Sequence, residues 1–551
     1  MRNIPEHESL TVEFKSDRKR LSDDILIESV VAFSNTDGGA LYLGVEDDGT
    51  ATGLHKDHQN ITTLGAFIAN KTVPPVAVRL EMLEGEVKVL RIEVPKSRSI
   101  VSTSSGKILR RRLKADGTPE NVPMYPYEIT GRLSSLSMLD YSAQPLYDAS
   151  CEDFDPLERE RLRNIILSYR GEQTLLELSN EELDKALRLV TEEGGKLFPT
   201  IAGMLLLGRA RDMHRFLPTN AAAFQVLMGS EVKVNETFEL PLLAAVEKMS
   251  DYMNAWNQEQ EMEIGLFRIS IPDFDKRAFR EALVNAFSHR DYSMLGRVRL
   301  MLDENGLTLS NPGGFIEGVN QKNLLSVEPH GRNPALADAL KRIGLAERTG
   351  RGVDRIYEGS LYYGRPLPDY SETTETMVKL YIPRGVPDKA FVRMISEEQQ
   401  RQGYPLPVNS LLVLNVLREM RRANIQEIAQ QINMSVVRAK PVVERLTEAG
   451  MVEAYGTGRG RQYLLSSKLY RQSDHDMAYV RQTDIDQLRY AELVVKLAAQ
   501  RGVVTRSDVA ELLHVTPPQA HRILQRLVRD GQLTPAGEKR GRKYYPKYED
   551  D

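Results

Sequence analysis

A chain of 551 residues is several times the length of one domain, so several separate cores are expected. With 41% hydrophobic and 27% charged residues and a net charge of -4, the composition is that of a soluble globular protein and excludes a general polycation. The single cysteine, Cys151, excludes an intramolecular disulfide and a Cys-rich zinc cluster, and a reducing cytoplasmic setting is expected.

In chain order, LTVEFK reads as a strand, and DDILIESVVAFSN as a helix with its apolar face at Ile25, Ile27, Val30, Val31 and Phe33. TDGG turns the chain into a buried strand, ALYLGVE, which ends at the turn DDGT. After a helix near 58–70, VAVRLEMLEGEVKVLRIEVP reads as a hairpin around Glu84–Glu86, completing a first α+β domain over 1–135. Residues 136–158 read as a linker and 159–210 as mainly helical, with 136–194 forming a connecting region. A helix, KRAFREALVNAFSHRDYS, then precedes the hairpin RVRLMLDENGLTLS, whose Val298, Leu300, Leu302, Leu307 and Leu309 share one face. A second linker spans 386–408. The longest apolar run, AGMLLLG from Ala202, is far below the ~18 residues of a membrane span, and MRNIPEHESL lacks the apolar core of a signal peptide.

The C-terminal region is an internal repeat. VVERLTEAGMVEAYGTGRGRQYLL aligns without gaps on ILQRLVRDGQLTPAGEKRGRKYYP, with Arg445/Arg526, Gly450/Gly531 and Tyr463/Tyr544 each 81 residues apart. Each copy, over 405–468 and 486–548, reads as helices, a glycine stop and a hairpin with a basic tip, with Thr516 capping the last long helix. Residues 516–547 carry eight Lys/Arg against two acids, which marks an anion-binding face. This arrangement resembles the winged helix-turn-helix, in which the second helix enters the major groove and the wing touches the backbone. The resemblance makes Arg438, Lys440, Gln519 and Arg522 groove residues, and Arg459, Arg461, Arg540, Arg542 and Lys543 phosphate contacts. A winged helix used only for protein contacts or dimerisation is the alternative.

Two further clusters carry chemistry. Glu8, Glu13 and Lys15 in ESLTVEFK, with Glu46, Asp47 and Asp48 in VEDDG, could converge on a divalent metal, or form an ion pair and an ordinary turn. In REALVNAFSHRDY, Glu281, Asn285 and His289 lie four apart on one helix face, a row able to position water and magnesium beside a phosphate. The turn TGRGVDRI opens a predicted helix, where free N–H groups favour an anion. No Walker A loop is present, so a helicase motor is not expected.

Two resemblances follow from these residues. ESLTVEFK, VVAFSNTDGGALYLGVEDDGTATG, KVLRIEVPKS and GKILRRR resemble the Schlafen-type AlbA domain. The resemblance implies an acidic metal-binding triad of Glu8, Glu13 and a third acid, Glu46 or, as favoured, Asp47, with Lys15 beside it and Mn or Mg bound. Arg110, Arg111 and Arg112 would contact phosphates under this likeness. Over 195–385, EALVNAFSH, the hairpin, NPGG, GRNPALADAL and GLAERTGRGVDRI resemble the RecG-related C-terminal domain, a branch of the gyrase/Hsp-ninety/histidine-kinase (GHKL) α/β sandwich. Glu281 would polarise water, Asn285 hold magnesium with ATP, His289 stand beside them, and Gly350 and Gly352 form a lid. Where active relatives carry D-x-G-x-G, this chain has Asn311-Pro312-Gly313-Gly314.

The expected protein is a multidomain α+β, nucleic-acid-binding, cytoplasmic chain with no membrane partner and a tendency to form homo-oligomers. The leading function is a metal-dependent endonuclease, with RNA such as tRNA favoured, regulated by the nucleotide-binding-like domain and serving in phage defence. The alternative is a non-catalytic, ligand-responsive DNA-binding transcriptional regulator.

Overall fold

The computed structural model describes residues 4–136, 138–264, 267–328, 330–455, 461–466, 490–513, 517–537 and 542–546. In the first strand, β1 (Val12–Lys15), Glu13 and Phe14 lie on opposite faces of the pleat and are both buried, so the strand is covered on both sides. Helix α1 (Asp23–Ser34) starts at Ser22, whose hydroxyl accepts from the Ile25 N–H, with Asp23 and Asp24 at its positive end. Leu26, Val30 and Phe33 form an i, i+4, i+7 stripe with Ile27 and Val31 beside it, none more than 4% exposed. Burying each such side chain stabilises the fold by roughly 1.5–3 kcal/mol. Ile25, expected on this face, is instead 44% exposed; it falls one residue off the stripe, and Leu26 takes the core position.

Strand β2 (Gly39–Leu43) pairs parallel with β1, setting Val12 opposite Ala40 and Lys15 opposite Leu43. The close approach depends on Gly39, where a Cβ would sit 2.5 Å from the Thr11 carbonyl oxygen and 2.7 Å from the Phe33 ring. Strands β3 (Arg79–Leu83) and β4 (Val89–Val94) form the expected hairpin, and β4 joins the free edge of β2 to give the order β1-β2-β4-β3. A separate hairpin, β5 (Leu109–Leu113) with β6 (Pro119–Pro123), packs on α1 and leads into α2 (Pro126–Ser135).

The central region is built on a five-stranded sheet. Its strands are β7 (Ala222–Met228), β8 (Glu231–Phe238), β9 (Val298–Leu302), β10 (Gly306–Pro312) and β11 (Met377–Pro383), in the order β8-β7-β9-β10-β11. Only β7 and β9 run parallel. Val298, Leu300, Leu302, Leu307 and Leu309 all lie on the buried face, as their alternation dictates. Helices α3 (Lys276–Ser288), α4 (Pro334–Arg342) and α5 (Gly352–Leu361) belong to this region, and α3 packs against both α5 and β10.

Three segments differ from the sequence reading. Residues 136–158, read as a linker, place Ala149 and Phe154 in the central core, and Asp140 accepts from the Ala335 N–H at the start of α4. Residues 190–199, within the stretch read as mainly helical, include a small antiparallel hairpin, Val190–Glu193 with Lys196–Pro199. The second linker contains helix α6 (Lys389–Gln402), capped by Asp388 on the Phe391 N–H, with Phe391, Val392 and Ile395 fully buried. Its three apolar anchors are enough to dock a helix that is otherwise polar.

The two C-terminal copies share one element order. The first is α7 (Val408–Met420), β12 (Arg422–Asn424), α8 (Ile425–Gln431), α9 (Val436–Glu448), β13 (Val452–Tyr455) and β14 (Gln462–Leu465). The second is α10 (Tyr490–Arg501), β15 (Val504–Thr505), α11 (Arg506–Leu513), α12 (Pro517–Arg529), β16 (Leu533–Ala536) and β17 (Lys543–Pro546). Each has a three-stranded sheet with its last strand in the middle. The expected cap Thr516 lies outside the described residues. The apolar core of the central region runs on into the first copy, whereas the second copy builds a separate core that also takes in Leu464 of β14. Among the described residues, no helix is long and apolar enough to cross a membrane.

Candidate functional site

Helix α3 begins at Asp275, whose carboxylate accepts from the N–H groups of Arg277 and Ala278, and runs amphipathically to Ser288. Its four-residue spacing brings Glu281, Asn285 and His289 to the floor of a cavity of about 650 Å³. That volume is in the range of small-molecule sites. Gly350 and Gly352, at the opening of α5, line the same cavity, as do Asn311, Gly314, Lys341 and Glu347. All five residues expected at a nucleotide site are therefore brought together.

The chemistry of the floor is unbalanced in a way that invites a ligand. Glu281 is 3% exposed, and its Oε2 is buried without a hydrogen-bond partner. Burial raises its carboxyl above the usual range, with nearby Arg280 only partly offsetting the shift. An orphaned buried carboxylate oxygen costs about 1–3 kcal/mol or more, so its retention calls for an explanation. Gly352 packs directly over it: a Cβ there would sit 3.2 Å from Glu281 Oε2 and 3.5 Å from Asn285 Nδ2.

Gly350 takes a φ of +80°, open to glycine, and turns the chain into α5. Glu347 fixes that turn, accepting from the Arg351 N–H at 2.8 Å and the Thr349 hydroxyl at 2.7 Å. No side chain caps α5, leaving N–H groups at its cavity end. His289 is half-buried, and its pKa is pushed down to about 4 by burial and then by Arg332, Lys341 and His330, so it is neutral at physiological pH. Asn311, on the same cavity, donates to the Pro312 carbonyl at 3.2 Å. A carboxylate with one unpartnered buried oxygen beside an amide fits a magnesium ion, and a glycine turn at a helix start fits the phosphates that the ion would carry. Lys341 and Glu347 were missed in the sequence reading; their signal is proximity in the chain to the two glycines.

The acidic residues of the N-terminal domain are arranged differently. Glu13 Oε2 accepts from Arg111 Nη1 at 2.7 Å, and its Oε1 lies 2.8 Å from Lys15 Nζ. Asn121 adds a third donor at 3.3 Å. Glu8 Oε1 accepts from the Phe14 N–H at 2.7 Å. Glu46 takes the hydroxyls of Thr52 and Ser16, which hold its carboxyl below the usual range, while Asp47 is exposed. Among the described residues, no three of His, Cys, Asp and Glu are grouped to hold a metal ion. As arranged, Glu8, Glu13 and Asp47 do not fit a resident Mn or Mg.

The basic residues divide into two kinds. Arg111 is 2% exposed and points inward, its guanidinium on the carbonyls of Ser9, Leu10 and Val12 and over the Phe33 ring, so it is not available to a phosphate. Arg110 pairs with Glu128 and Arg112 with Glu120 at the surface. Arg438, Lys440, Arg461, Arg522, Arg542 and Lys543 are exposed on the two copies. Arg459 and Arg540 lie outside the described residues, as does the side chain of Gln519. Val437, beside Arg438 on α9, is 83% exposed, an apolar contact point that the sequence reading passed over.

Comparison with known proteins follows the same division. Residues 8–117 match the family described as "Schlafen, AlbA_2" and residues 296–380 the family described as "Putative ATP-dependent DNA helicase recG C-terminal". Residues 134–222 match a domain family of unknown function, and residues 412–551 the family "DNA glycosylase AlkZ-like". No curated protein matches the chain. The crystal structure of the DIP2311 protein from Corynebacterium diphtheriae has the same fold, with a TM-score of 0.50, 21% identity, and coverage of 98% of this chain and 95% of that one. The chain thus carries a Schlafen AlbA-type domain at its N-terminal end and a RecG-related C-terminal domain at its centre, in a multidomain protein with a nucleic-acid-related function.

Proposed function

We propose that this protein is a ligand-responsive regulator that binds DNA through its C-terminal copies and takes a nucleoside triphosphate with magnesium in the central cavity. The observation that carries the reading is Glu281 Oε2, buried without a partner at the floor of a ~650 Å³ cavity beside Asn285 and under Gly352. Asn285 would ligate the magnesium that the phosphates carry, with Glu281 beside it to polarise a water, and the magnesium would neutralise the phosphate charge. The free N–H groups at the start of α5 would take phosphate oxygens. The element order of each C-terminal copy supports a winged-helix reading, in which α9 and α12 would be the groove helices and the β13–β14 and β16–β17 hairpins the wings. The match of 412–551 to a DNA glycosylase family supports DNA as the target.

The test is fluorescence anisotropy of labelled duplex DNA with wild type and Asn285→Ala, with and without MgATP. A DNA affinity that shifts with MgATP in wild type and not in the variant supports the proposal; DNA binding indifferent to MgATP in both removes it.

A second reading, a metal-dependent endonuclease acting on RNA such as tRNA in phage defence, is favoured by the Schlafen match over 8–117. It requires Glu13 to leave Arg111 and Lys15. Incubating the protein with a tRNA pool and Mn or Mg beside Glu13→Ala decides it: cutting that vanishes in the variant supports the nuclease, and intact tRNA in both leaves the regulator.

A further inference from the structure

The stretch joining β10 to α4, residues 313–328 and 330–332, forms one wall of the central cavity through Gly314, Phe315, Ile316, Val319, Leu324 and Val327. The same stretch is fastened outside the cavity on two other sides. Toward the N-terminal region, Glu317 accepts from Arg132 Nη1 at 2.8 Å and lies 3.5 Å from Lys96 Nζ, and its backbone N–H donates to the Ser135 carbonyl. Arg332, only 4% exposed, donates to the Gly314 carbonyl at 3.2 Å and to Asp291 at 3.0 Å. Its Nη1 also donates to the Gly131 carbonyl and to Ser135 Oγ, and its own carbonyl accepts from Ser134 Oγ. Toward the first C-terminal copy, the Lys322 carbonyl accepts from the Asn433 side chain. Asn433, with a φ of +51°, stands two residues before Ser435, the N-cap residue of α9.

We propose that this stretch is the coupling element of the molecule: occupancy of the cavity is transmitted through it to α2 on one side and to the turn before α9 on the other. The inference rests on the nucleotide reading of the cavity and adds the route by which the ligand acts. Its physical basis is Arg332. A buried guanidinium does not readily leave its partners, so Arg332 ties the cavity wall at Gly314 to helix α2 at Gly131 and Ser135. Helix α2 directly follows the β5–β6 hairpin that carries Arg111 and Asn121, two of the three groups holding Glu13. On the other side, a shift of the Lys322 carbonyl acts on the turn that sets where α9 starts. A ligand that packs better against one position of the wall therefore biases both ends together.

The experiment is hydrogen–deuterium exchange on the full chain, with and without MgATP, in wild type, Glu317→Ala and Asn433→Gly. Neither residue lines the cavity, and glycine keeps the left-handed backbone at 433 open while deleting the amide. In wild type, MgATP slows exchange at 281–289 and 313–328 and alters it at 126–135 and 431–436. Glu317→Ala reduces the response of 126–135 by about twofold or more, and Asn433→Gly that of 431–436, while 281–289 respond as before. Protection confined to 281–289 and 313–328 in wild type overturns the coupling and leaves the nucleotide reading standing. So do responses at 126–135 and 431–436 that neither variant changes. No response at 281–289 overturns the nucleotide reading and the coupling with it.

Discussion

Replacing Arg111 with Met separates a structural role from a nucleic-acid role at the most basic strand of the N-terminal domain. Methionine keeps an apolar stem over Phe33 but deletes the guanidinium that serves Glu13, Asn121 and the carbonyls of Ser9, Leu10 and Val12. Breaking a buried ion pair from one side costs roughly 3–5 kcal/mol, because the other charge is left without its partner. Here Lys15 still stands 2.8 Å from Glu13, which places the expected loss at the lower end, about 3 kcal/mol. The only tryptophan, Trp256, lies in the central region, so the readout is amide exchange at 12–15 and 40–43, the paired strands β1 and β2. Adding Glu13→Gln to Arg111→Met recovers about 1–2 kcal/mol, since the buried carboxylate that lost the guanidinium is then gone. Unchanged exchange in these strands, together with weaker nucleic-acid binding, would refute the argument and return Arg111 to the phosphate-contact role.

Three further outcomes are expected. Glu281 has a raised carboxyl pKa, so the folded chain holds its proton more tightly than the unfolded chain, and stability falls as pH rises through the ordinary glutamate range. Glu281→Gln therefore stabilises at pH 7.5, by on the order of 1 kcal/mol, and has little effect at pH 4, read by thermal unfolding through Trp256; a gain equal at both pH values contradicts this. His289 is displaced the other way, from 6.5 to about 4, so its contribution is intact above pH 6.5 and is lost as pH falls toward 4. His289→Asn should remove about 2 kcal/mol of acid destabilisation by pH 4.5 in the same assay. Arg522→Ala and Arg542→Ala should each lower the slope of log affinity for duplex DNA against log salt by about 1, with Arg111→Met leaving it unchanged. Equal slopes in all four proteins would place the DNA face elsewhere.

How much of this was legible in the sequence depended on whether the signal was local. The i, i+4, i+8 spacing of Glu281, Asn285 and His289 fixed their common face, and the structure puts all three in one cavity with Gly350 and Gly352. The repeat at 81 residues carried through to two copies with the same element order. The alternation of Val298, Leu300, Leu302, Leu307 and Leu309 gave the buried face of β9 and β10. Three features depended on distant partners and were not readable. Arg111 sits in ILRRRLK like its neighbours, and only the pairing of β5 with β6 beside α1 turns it inward onto Glu13, 98 residues earlier in the chain. The helix at Lys389–Gln402 looked like linker because its polar majority concealed three anchors that only a waiting core makes significant. Ile25 and Leu26 exchanged places because adjacent apolar residues leave the helix phase open until Ser22 caps it.

The central claim is that the cavity over Glu281 and Asn285 takes a magnesium nucleotide. Isothermal titration of MgATP into the full chain, beside Asn285→Ala, tests it most directly. The account predicts saturable binding of one equivalent per chain in wild type and at least a tenfold loss of affinity, about 1.4 kcal/mol, in the variant. Absence of heat in wild type, or equal binding by the two proteins, would contradict it.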